Sequence, residues 1–376
     1  MEFGNNSNYS LVLVIAFLVC SLLFVSYISN SLSVSGMAVY DRTERLCRDL
    51  EEGGRLYLWR SRFSYLQGWY EDNCLNKQDC SCDSVEECNK ILDGSCNVVK
   101  LSSDITDIKT SGSVFEFSSD SVKFDCQNHK VVGNGVRYGI GIDTKGYDNL
   151  EVTNCIIQNF NTAIFLREGS DNVKVFRNKL SANSRGVFGV GAGSNHQIIE
   201  NSISNNVETF TETGAGIILS SSGDGTLIIG NAVFDNEMVG IFLHNTGNSV
   251  VESNIVRNNW IGILTQNKGA NTITNNSVFL NSLYGILVDG SYSNVISRNI
   301  IFANKKGIEL LDDDGYYSNN NNIYSNVACN NTEVDLSDHT TLSTGNIYKG
   351  NICQKTENWI DAGSVGCSIL CSDYYI

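Results

Sequence analysis

A short motif recurs along the chain at a nearly constant spacing. The motif is Gly-Ile followed by apolar residues, and its copies begin at Gly216, Gly240, Gly262, Gly285 and Gly307. Successive copies are 24, 22, 23 and 22 residues apart. A fixed period in the low twenties, built from short β-branched runs, is the sequence signature of a solenoid, in which each repeat buries its apolar face against the next.

Asparagine pairs with four intervening residues accompany this motif. Nine pairs fit the spacing: Asn154/Asn159, Asn178/Asn183, Asn201/Asn206, Asn231/Asn236, Asn254/Asn259, Asn276/Asn281, Asn299/Asn304, Asn321/Asn326 and Asn346/Asn351. The segments between them are too short for helices, and their apolar residues alternate as in strands. We therefore predict an all-β chain, a right-handed single-stranded parallel β-helix of about ten coils of 22–24 residues. The recurring Asn predicts a side-chain ladder and the recurring Gly a tight corner.

Residues 96–353 resemble the NosD-type, carbohydrate-binding and sugar-hydrolase branch of right-handed parallel β-helices, whose fold is that of the pectate lyases. The resemblance rests on the Gly-Ile and Asn cadence and on two further passages, VVKLSSDIT at 98–106 and VKFDCQNHKVVG at 122–133. It implies the fold but no particular activity, because the family contains enzymes, binders and structural proteins. The family name is linked to copper-enzyme maturation. Here, however, the four histidines are scattered and no His/Cys/Met cluster indicates a copper site, so we predict no metal centre.

The amino-terminal region contains a candidate membrane segment. Residues 11–28 are mostly apolar and carry no charge, which is long enough for a transmembrane helix, and a cleaved signal segment is the alternative. Three arginines between 42 and 48 follow it, which by the positive-inside rule favours a cytoplasmic body. We predict a transmembrane anchor or signal segment at 1–39, a stalk and Cys-rich cap at 40–96, the β-helix at 97–353 and a second cap at 354–376.

The cysteines indicate the opposite side of the membrane. Candidates for disulfides are Cys74, Cys80, Cys82, Cys88, Cys96, Cys329, Cys353, Cys367 and Cys371. Disulfides form in oxidising compartments, so we predict a membrane-anchored β-helix outside the cytoplasm, or a secreted one if the segment is cleaved. Zinc is the alternative, but the spacing lacks a CxxC knuckle. Cys329 with Cys353 is a plausible pair, and Cys126 with Cys155 is another candidate.

The charge of the chain restricts its partners. The net charge is −15, which argues against nucleic acid and against anionic lipid. It also argues against a polyanionic polysaccharide unless Ca²⁺ bridges the two. The segment Asp312-Asp313-Asp314-Gly315 is the candidate for such a Ca²⁺ site, with a simple acidic turn as the alternative.

Two columns of residues follow the Gly-Ile strands in the coil alignment. The first is Asp143, Arg167, Ser220, His244, Gln266, Asp289 and Leu311, and the second is Thr144, Glu168, Gly191, Ser221, Asn245, Asn267, Gly290 and Asp312. Carboxylates, amides and a histidine are groups that bind sugar hydroxyls, and a solvated row of turns is the alternative. The predicted ligand-binding residues are Asp143, Arg167, Glu168, His244, Asn245, Gln266, Asn267, Asp289 and Asp312.

Catalysis requires a suitable pair of acids. Glycosidase carboxylates lie about 5–5.5 Å apart in retaining enzymes, close to the spacing of about 4.8 Å between adjacent coils. The candidate pairs are Asp289 with Asp312 or Asp313, and Asp143 with Glu168. The polygalacturonase-like pattern of Asn-Thr-Asp, Asp-Asp, Gly-His-Gly and Arg-x-Lys is absent.

We therefore predict a protein that binds a polysaccharide or cell-surface glycan without catalysis. The alternatives are a glycoside hydrolase or polysaccharide lyase, and a structural or adhesive stalk. An insertion at 207–213, between Asn206 and Gly216, is a candidate functional loop.

Overall fold

The computed structural model describes residues 79–134, 139–207, 214–221, 224–313, 315–367 and 369–373. The chain divides into two compact units, Met1–Asn76 and Lys77–Ile376, and the described residues belong to the second. The predicted segment at 11–28, the stalk through residue 78 with Cys74, the loop residues 208–213 and Asp314 lie outside the described residues. Within the ranges described, no helix has the length and apolar character needed to cross a membrane.

The described part of the second unit is built mainly from three parallel sheets, to which successive coils each add strands, and a short antiparallel pair, Ile360–Asp361 and Ser364–Val365, lies near its carboxyl-terminal end. The first sheet has twelve strands: Asp79–Cys82, Val98–Leu101, Lys123–Asp125, Glu151–Thr153, Lys174–Phe176, Gln197–Ile199, Leu227–Ile229, Val250–Glu252, Thr272–Thr274, Val295–Ser297, Asn322–Tyr324 and Ile347–Lys349. The second also has twelve: Ile105–Ile108, Lys130–Gly133, Ile156–Gln158, Lys179–Ser181, Ser202–Ser204, Ala232–Phe234, Ile255–Arg257, Ser277–Phe279, Ile300–Phe302, Val327–Cys329, Ile352–Cys353 and Ile369–Leu370. The third has eleven: Ser113–Glu116, Ile140–Asp143, Thr162–Leu166, Arg185–Val190, Ala215–Ser220, Val239–His244, Ile261–Gln266, Tyr284–Asp289, Lys306–Leu311, Val334–Asp338 and Thr356–Glu357.

The chain order of these strands confirms the predicted parallel β-solenoid. Successive strands go to different sheets, and each strand pairs in parallel with its equivalents one coil before and one coil after. There are about twelve coils, more than the ten predicted, because strands also form at both ends of the repeat, at Asp79–Cys82 and at Ile369–Leu370. These terminal strands lie outside the nine asparagine pairs, and outside the bounds 97–353, from which the number of coils was predicted.

The interior is a continuous stack of aliphatic side chains. Ile217, Ile241, Ile263, Ile286 and Ile308 occupy one column of the third sheet and are fully buried. Such columns bury each side chain against its equivalents in the neighbouring coils, which is where most of the hydrophobic free energy of a solenoid arises.

The glycine that precedes each of these isoleucines is required by close packing. A Cβ added at Gly240 would lie 2.7 Å from the carbonyl oxygen of Gly262 and 2.7 Å from Val256 Cγ1. Gly240 lies within the strand Val239–His244 and has no positive φ. The predicted role of this glycine as a tight corner is therefore wrong, since the residue is needed where two coils approach and not for an unusual backbone conformation.

Asparagine ladders run along the corners between the sheets, as predicted. The first ladder contains Asn178, Asn201, Asn231, Asn254, Asn276, Asn299, Asn326 and Asn351, and the second contains Asn183, Asn206, Asn236, Asn259, Asn281, Asn304 and Asn331. At a typical step, Asn276 Oδ1 accepts from the backbone N–H of Asn254 at 2.9 Å and from its Nδ2 at 3.0 Å. Each rung thus satisfies backbone groups that the corner would otherwise leave buried without partners.

Three of the nine predicted pairs are out of register with these ladders. Asn154 and Asn159 each lie one residue before the ladder positions, which Cys155 and Phe160 occupy. Asn321 belongs to a third ladder, whose members are Asn271, Asn294, Asn321 and Asn346. The left-handed backbone conformation occurs at the residue before each rung and not at the rung itself; Asn258, for example, has a φ of 56° and precedes the rung Asn259. Spacing alone could not distinguish a rung from the residue that precedes it.

The amino-terminal end of the solenoid is covered by a short helix, α1 (Val85–Ile91). Ser84 caps it, and the disulfide Cys82–Cys88 joins it to the first strand. A second disulfide, Cys80–Cys96, links that strand to the segment just before Val98–Leu101. The Asn89 side chain donates to the carbonyl oxygen of Val114 and accepts from the backbone N–H of Glu116. The helix therefore protects the first edge of the third sheet, which would otherwise expose unpaired backbone groups.

The other end is closed by Cys329–Cys371 and Cys353–Cys367, with the buried Trp359 ring packed 3.9 Å from that of Tyr348. The predicted pairing of Cys329 with Cys353 is wrong. The register of the second sheet places Val327 opposite Ile352, so Cys329 and Cys353 are offset by one residue and point to opposite faces.

Cys126 and Cys155 form a fifth disulfide between adjacent coils. Disulfides were predicted as a class, and these five bridges confirm them. They indicate folding in an oxidising compartment outside the cytoplasm.

Candidate functional site

The outer face of the third sheet carries a strip of polar side chains that crosses successive coils. At the last position of its six-residue strands, Ser220 lies opposite His244, His244 opposite Gln266, and Gln266 opposite Asp289. Asn267 and Asp313 flank this row. We name these six residues the polar strip. The third sheet supplies it because its strands are the longest, so their ends extend beyond the packed core.

A first hydrogen-bonded group in the polar strip is centred on His244. Asn267 Nδ2 lies 3.2 Å from His244 Nε2, and Ser220 Oγ lies 2.9 Å from His244 Nδ1. With the Asn267 amide donating, His244 Nε2 accepts and Nδ1 carries the proton that is donated to Ser220. The ring is thereby held in one orientation and is half-buried.

A second group joins an amide to two carboxylates. Gln266 Nε2 donates to Asp289 Oδ2 at 2.8 Å and lies 3.5 Å from Asp313 Oδ2. Burial raises the pKa of Asp289, the charge of Asp313 raises it further, and the hydrogen bond from Gln266 opposes both. The two carboxylates that accept from one amide present fixed acceptors to a hydroxyl-rich ligand.

An apolar cluster lies beside the polar strip on the same outer face. Leu264 and Leu287, together with Val239 and Ile261, form a group that is separate from the interior core, and each is less than a tenth exposed. Further along, Glu309 takes the same outward position and binds Lys306 and His339, both at 2.7 Å. The polar strip is therefore bounded on one side by packed apolar residues and does not continue as a polar face across the whole sheet.

Asp143 and Arg167 form a structural ion pair outside the polar strip. The register places Asp143 opposite Phe165, two residues away from the predicted column. Asp143 is fully buried and accepts from Arg167 Nε at 3.2 Å and from Ser113 Oγ at 2.8 Å. Burial alone would raise its pKa, but the Arg167 guanidinium and two further hydrogen bonds outweigh it and lower the pKa. Asp143 is therefore not brought together with Glu168 as an acid pair, since Glu168 lies in an exposed turn and pairs through its backbone with Ala192.

Asp312 anchors a loop. Its carboxylate accepts from the backbone N–H groups of Thr341 and Leu342, both at 2.9 Å, and from Ser318 N–H at 3.1 Å and the Ser343 hydroxyl. These hydrogen bonds outweigh burial and lower the pKa of Asp312. Of the two residues predicted to form an acid pair with Asp289, Asp313 is therefore the one that lies beside it, since Asp289 and Asp313 both accept from Gln266.

Asn245 and Asn267 belong to a row of turn residues in the left-handed conformation. Gly191, Ser221, Asn245, Asn267 and Gly290 all have φ between 48° and 69°. Asn and Gly are favoured there because they tolerate positive φ. Asn245 is thus explained by backbone conformation, whereas Asn267 also contributes its side chain to the polar strip.

The surface also carries a second candidate site, which the sequence did not predict. An open groove of about 480 Å³ follows the corner between the second and third sheets. It is lined by Val207, Asp235, Asn236, Glu237, Asn258, Asn259, Trp260, Leu280 and Ser282. The signal that could have revealed it is Trp260, which directly follows a ladder Asn where the neighbouring coils have Glu237 and Ser282.

Together these observations define a disulfide-closed parallel β-helix with a polar strip on one outer face. Residues 208–358 match the family model described as "Periplasmic copper-binding protein (NosD)". This match confirms the resemblance to the NosD-type β-helix repeat family predicted from sequence. No curated protein matches the chain.

Several solved structures share the fold. The Dettilon tailspike protein (gp208) is 15% identical with a TM-score of 0.60, covering 76% of this chain, which spans 60% of the tailspike. DFA-IIIase from Arthrobacter chlorophenolicus A6, solved in complex with GF2, is 13% identical with a TM-score of 0.50, covering 74% of this chain and 75% of that one. The A-module of the Azotobacter vinelandii mannuronan C-5 epimerase AlgE6 is 14% identical with a TM-score of 0.48, covering 78% and 94%. At these identities the similarity to the tailspike and to DFA-IIIase shows the fold alone.

The residues described do not fit the copper ion named by the family description. Copper is bound by Cys, Met and His side chains. The ten cysteines in the described ranges are all in disulfides. The four histidines lie on different coils with separate partners, and no cluster of three His, Cys, Asp or Glu residues in these ranges could hold a metal ion.

Proposed function

We propose that the protein is an extracytoplasmic glycan-binding β-helix, anchored to the membrane through residues 11–28, that holds a polysaccharide along the polar strip without cleaving it. In this proposal residues 40–96 are the stalk and amino-terminal cap, 97–353 are the binding rod and 354–376 close its end. The fold shared with DFA-IIIase brings no substrate to this chain, so the proposal rests on the polar strip itself.

The observation that carries the proposal is the repetition of fixed hydrogen-bonding groups along the rod. Ser220, His244, Gln266 and Asp289 lie on four adjacent coils, which follow one another at about 4.8 Å. A periodic row of donors and acceptors is complementary to a periodic polymer.

The polar strip is also preorganised for binding. His244 is held at both ring nitrogens and Gln266 is held by Asp289. Since these side chains are already ordered, less conformational entropy is lost when a ligand binds. The net charge of −15 favours a neutral polymer, and a polyanion would need Ca²⁺ between the two.

The test uses the full-length chain, produced in an oxidising compartment and offered immobilised polysaccharides with and without Ca²⁺. We expect retention on at least one neutral polymer and a loss of about tenfold or more in affinity for Gln266→Ala. The matched control is Gln158→Ala, which removes a half-buried glutamine from the second sheet, where it donates to Ser181 at 3.0 Å. Equal binding by the two variants would contradict the proposal. Retention on no polymer would favour a structural or adhesive stalk.

A second candidate function is that of a glycoside hydrolase or polysaccharide lyase. It is favoured by the raised pKa of Asp289 beside Asp313, because a carboxyl group that keeps its proton can serve as a general acid. The same polysaccharides would be examined for new reducing or unsaturated ends. Ends that appear with the native chain and disappear with Asp289→Asn would establish this function in place of binding alone.

A further inference from the structure

The groove between the second and third sheets contains an exposed tryptophan, Trp260, and two acidic residues, Asp235 and Glu237, none of which belongs to the polar strip. We propose that this groove is a separate carbohydrate subsite, in which the indole of Trp260 stacks against the apolar face of a neutral sugar ring. The subsite goes beyond the proposed function, because it lies at the opposite end of the third-sheet strands from the polar strip and uses different residues.

Trp260 is exposed where burial would be expected. Its relative exposure is 41%, whereas Trp359, the other tryptophan in the described ranges, is 1% exposed. Leu280, one coil further along the groove, is 53% exposed. Large apolar side chains left in solvent within a concave site are typical of binding surfaces, and tryptophan joins a broad apolar face to a polar edge.

The backbone of Trp260 is held rigidly. The residue before it, Asn259, is a buried rung of the second ladder, and the strand Ile261–Gln266 begins directly after it. A platform fixed on both sides loses little backbone entropy when a ligand stacks on it.

Polar groups surround this platform on neighbouring coils. Asp235 Oδ1 accepts from Asn258 Nδ2 at 2.8 Å and lies 3.9 Å from Arg257 NH1, so its carboxylate is oriented. Glu237 and Ser282 occupy the positions equivalent to Trp260 in the coils before and after it. An apolar surface with a few placed polar groups is the usual composition of a small-ligand site, and about 480 Å³ lies within the usual range.

The charge of the groove selects the class of ligand. The residues lining it include Asp235 and Glu237 but neither Lys nor Arg. A uronate would therefore meet two carboxylates in this lining, whereas the hydroxyls of a neutral sugar can donate to both. Neutral oligosaccharides of hexose or pentose are accordingly the expected ligands.

The test measures intrinsic tryptophan fluorescence and calorimetric binding with the full-length chain. The probes are cello-, manno- and xylo-oligosaccharides as neutral ligands and oligogalacturonate as the anionic one. We expect at least one neutral oligosaccharide to change the emission of the native chain. Trp260→Ala should remove that change and weaken binding at least tenfold, whereas Trp260→Phe should recover part of the affinity.

Two controls make the result specific. Tyr292→Ala removes an aromatic ring of similar exposure, 45%, that is not part of the groove lining, and should leave binding unchanged. Gln158→Ala, which is outside both the groove lining and the polar strip, should also leave the emission change unaltered. Failure of the groove and failure of the polar strip are distinguishable, because the groove is scored by the Trp260-dependent emission change with oligosaccharides and the polar strip by the effect of Gln266→Ala on retention by immobilised polysaccharides. The proposal is overturned if no neutral oligosaccharide binds, if Trp260→Ala binds as the native chain does, or if oligogalacturonate binds more tightly than the neutral probes.

Discussion

His196 replaces asparagine at a rung-like position and should make the solenoid sensitive to acid. Its Nδ1 accepts from the backbone N–H of Val173 at 3.3 Å, the same bond that Oδ1 of Asn294 makes with Asn271 at 3.1 Å. Its Nε2 is buried, and no described residue bonds to it. Burial lowers the pKa of His196 from 6.5 to about 4, and the backbone carbonyl of Gly193 and the charge of Asp171, which both favour the protonated ring, only partly oppose this.

The size of the effect follows from this pKa. The folded chain keeps His196 neutral, while the unfolded chain binds a proton near pH 6.5, so the free energy of unfolding falls as the pH decreases from 6.5 towards 4. Each unit of pKa difference corresponds to about 1.4 kcal/mol, so the loss is about 3 kcal/mol once the pH is below 4.

The variant His196→Asn tests this reasoning. Asparagine supplies the same acceptor to Val173 but does not titrate, so we expect stability within about 1 kcal/mol of native at pH 7 and an advantage of about 3 kcal/mol near pH 4. Denaturant midpoints at both pH values, with disulfides intact, measure the difference between the two chains, and contributions from all other groups cancel. If both chains lose the same stability between pH 7 and pH 4, His196 is not the acid-sensitive group and the reasoning fails.

Three further predictions concern the repeat and its carboxyl-terminal end. Asn276→Ala removes a rung and leaves the backbone N–H of Asn254 buried without its acceptor. The free energy of unfolding, measured by denaturant titration, should therefore fall by about 3 kcal/mol, and a loss below about 1 kcal/mol would mean that the ladder contributes little to stability. Gly262→Ala places a Cβ 2.4 Å from the carbonyl oxygen of Gly285 and should lower the free energy of unfolding by at least about 2 kcal/mol. In the control Gly112→Ala the nearest atom is 3.8 Å away, so the melting temperature should hardly change. Partial burial would lower the pKa of His339, but hydrogen bonds to Glu357 and Glu309 outweigh it and raise the pKa. His339→Asn should therefore lower stability at pH 5 to 6 more than at pH 8, by less than about 1 kcal/mol because the side chain is partly exposed to solvent; equal losses at both pH values would contradict this.

The sequence predicted the repeat itself. A solenoid places equivalent residues in equivalent surroundings, so each coil repeats the same requirements and the Gly-Ile and Asn signals reappear with the period of the structure. The parallel strands, the ladders and the existence of disulfides therefore followed from spacing and composition. The columns from Ser220 to Asp289 were also aligned correctly, since the coils there have no insertion.

Errors appeared where the alignment of a coil was wrong or its length changed. The third sheet pairs Asp143 with Phe165, two residues before the aligned Arg167, so Asp143 was assigned to the polar strip although it forms a buried ion pair with Arg167. In the coil that contains Asp312, inserted residues bring Asp313 towards Asp289 and leave Asp312 to hold a loop. A one-residue offset in a strand turns a side chain to the other face, so small errors of register decide which residues meet.

By itself the sequence determined the class of fold, because a period in the low twenties with buried β-branched residues has few other solutions. Only the tertiary structure decided the pairing of Cys329 with Cys371, the partner of Asp289 and the groove beside Trp260. These depend on distances between coils that are 23 to 47 residues apart along the chain. Periodicity shows which coil a residue occupies, whereas the register and the loops between coils determine which side chain it contacts.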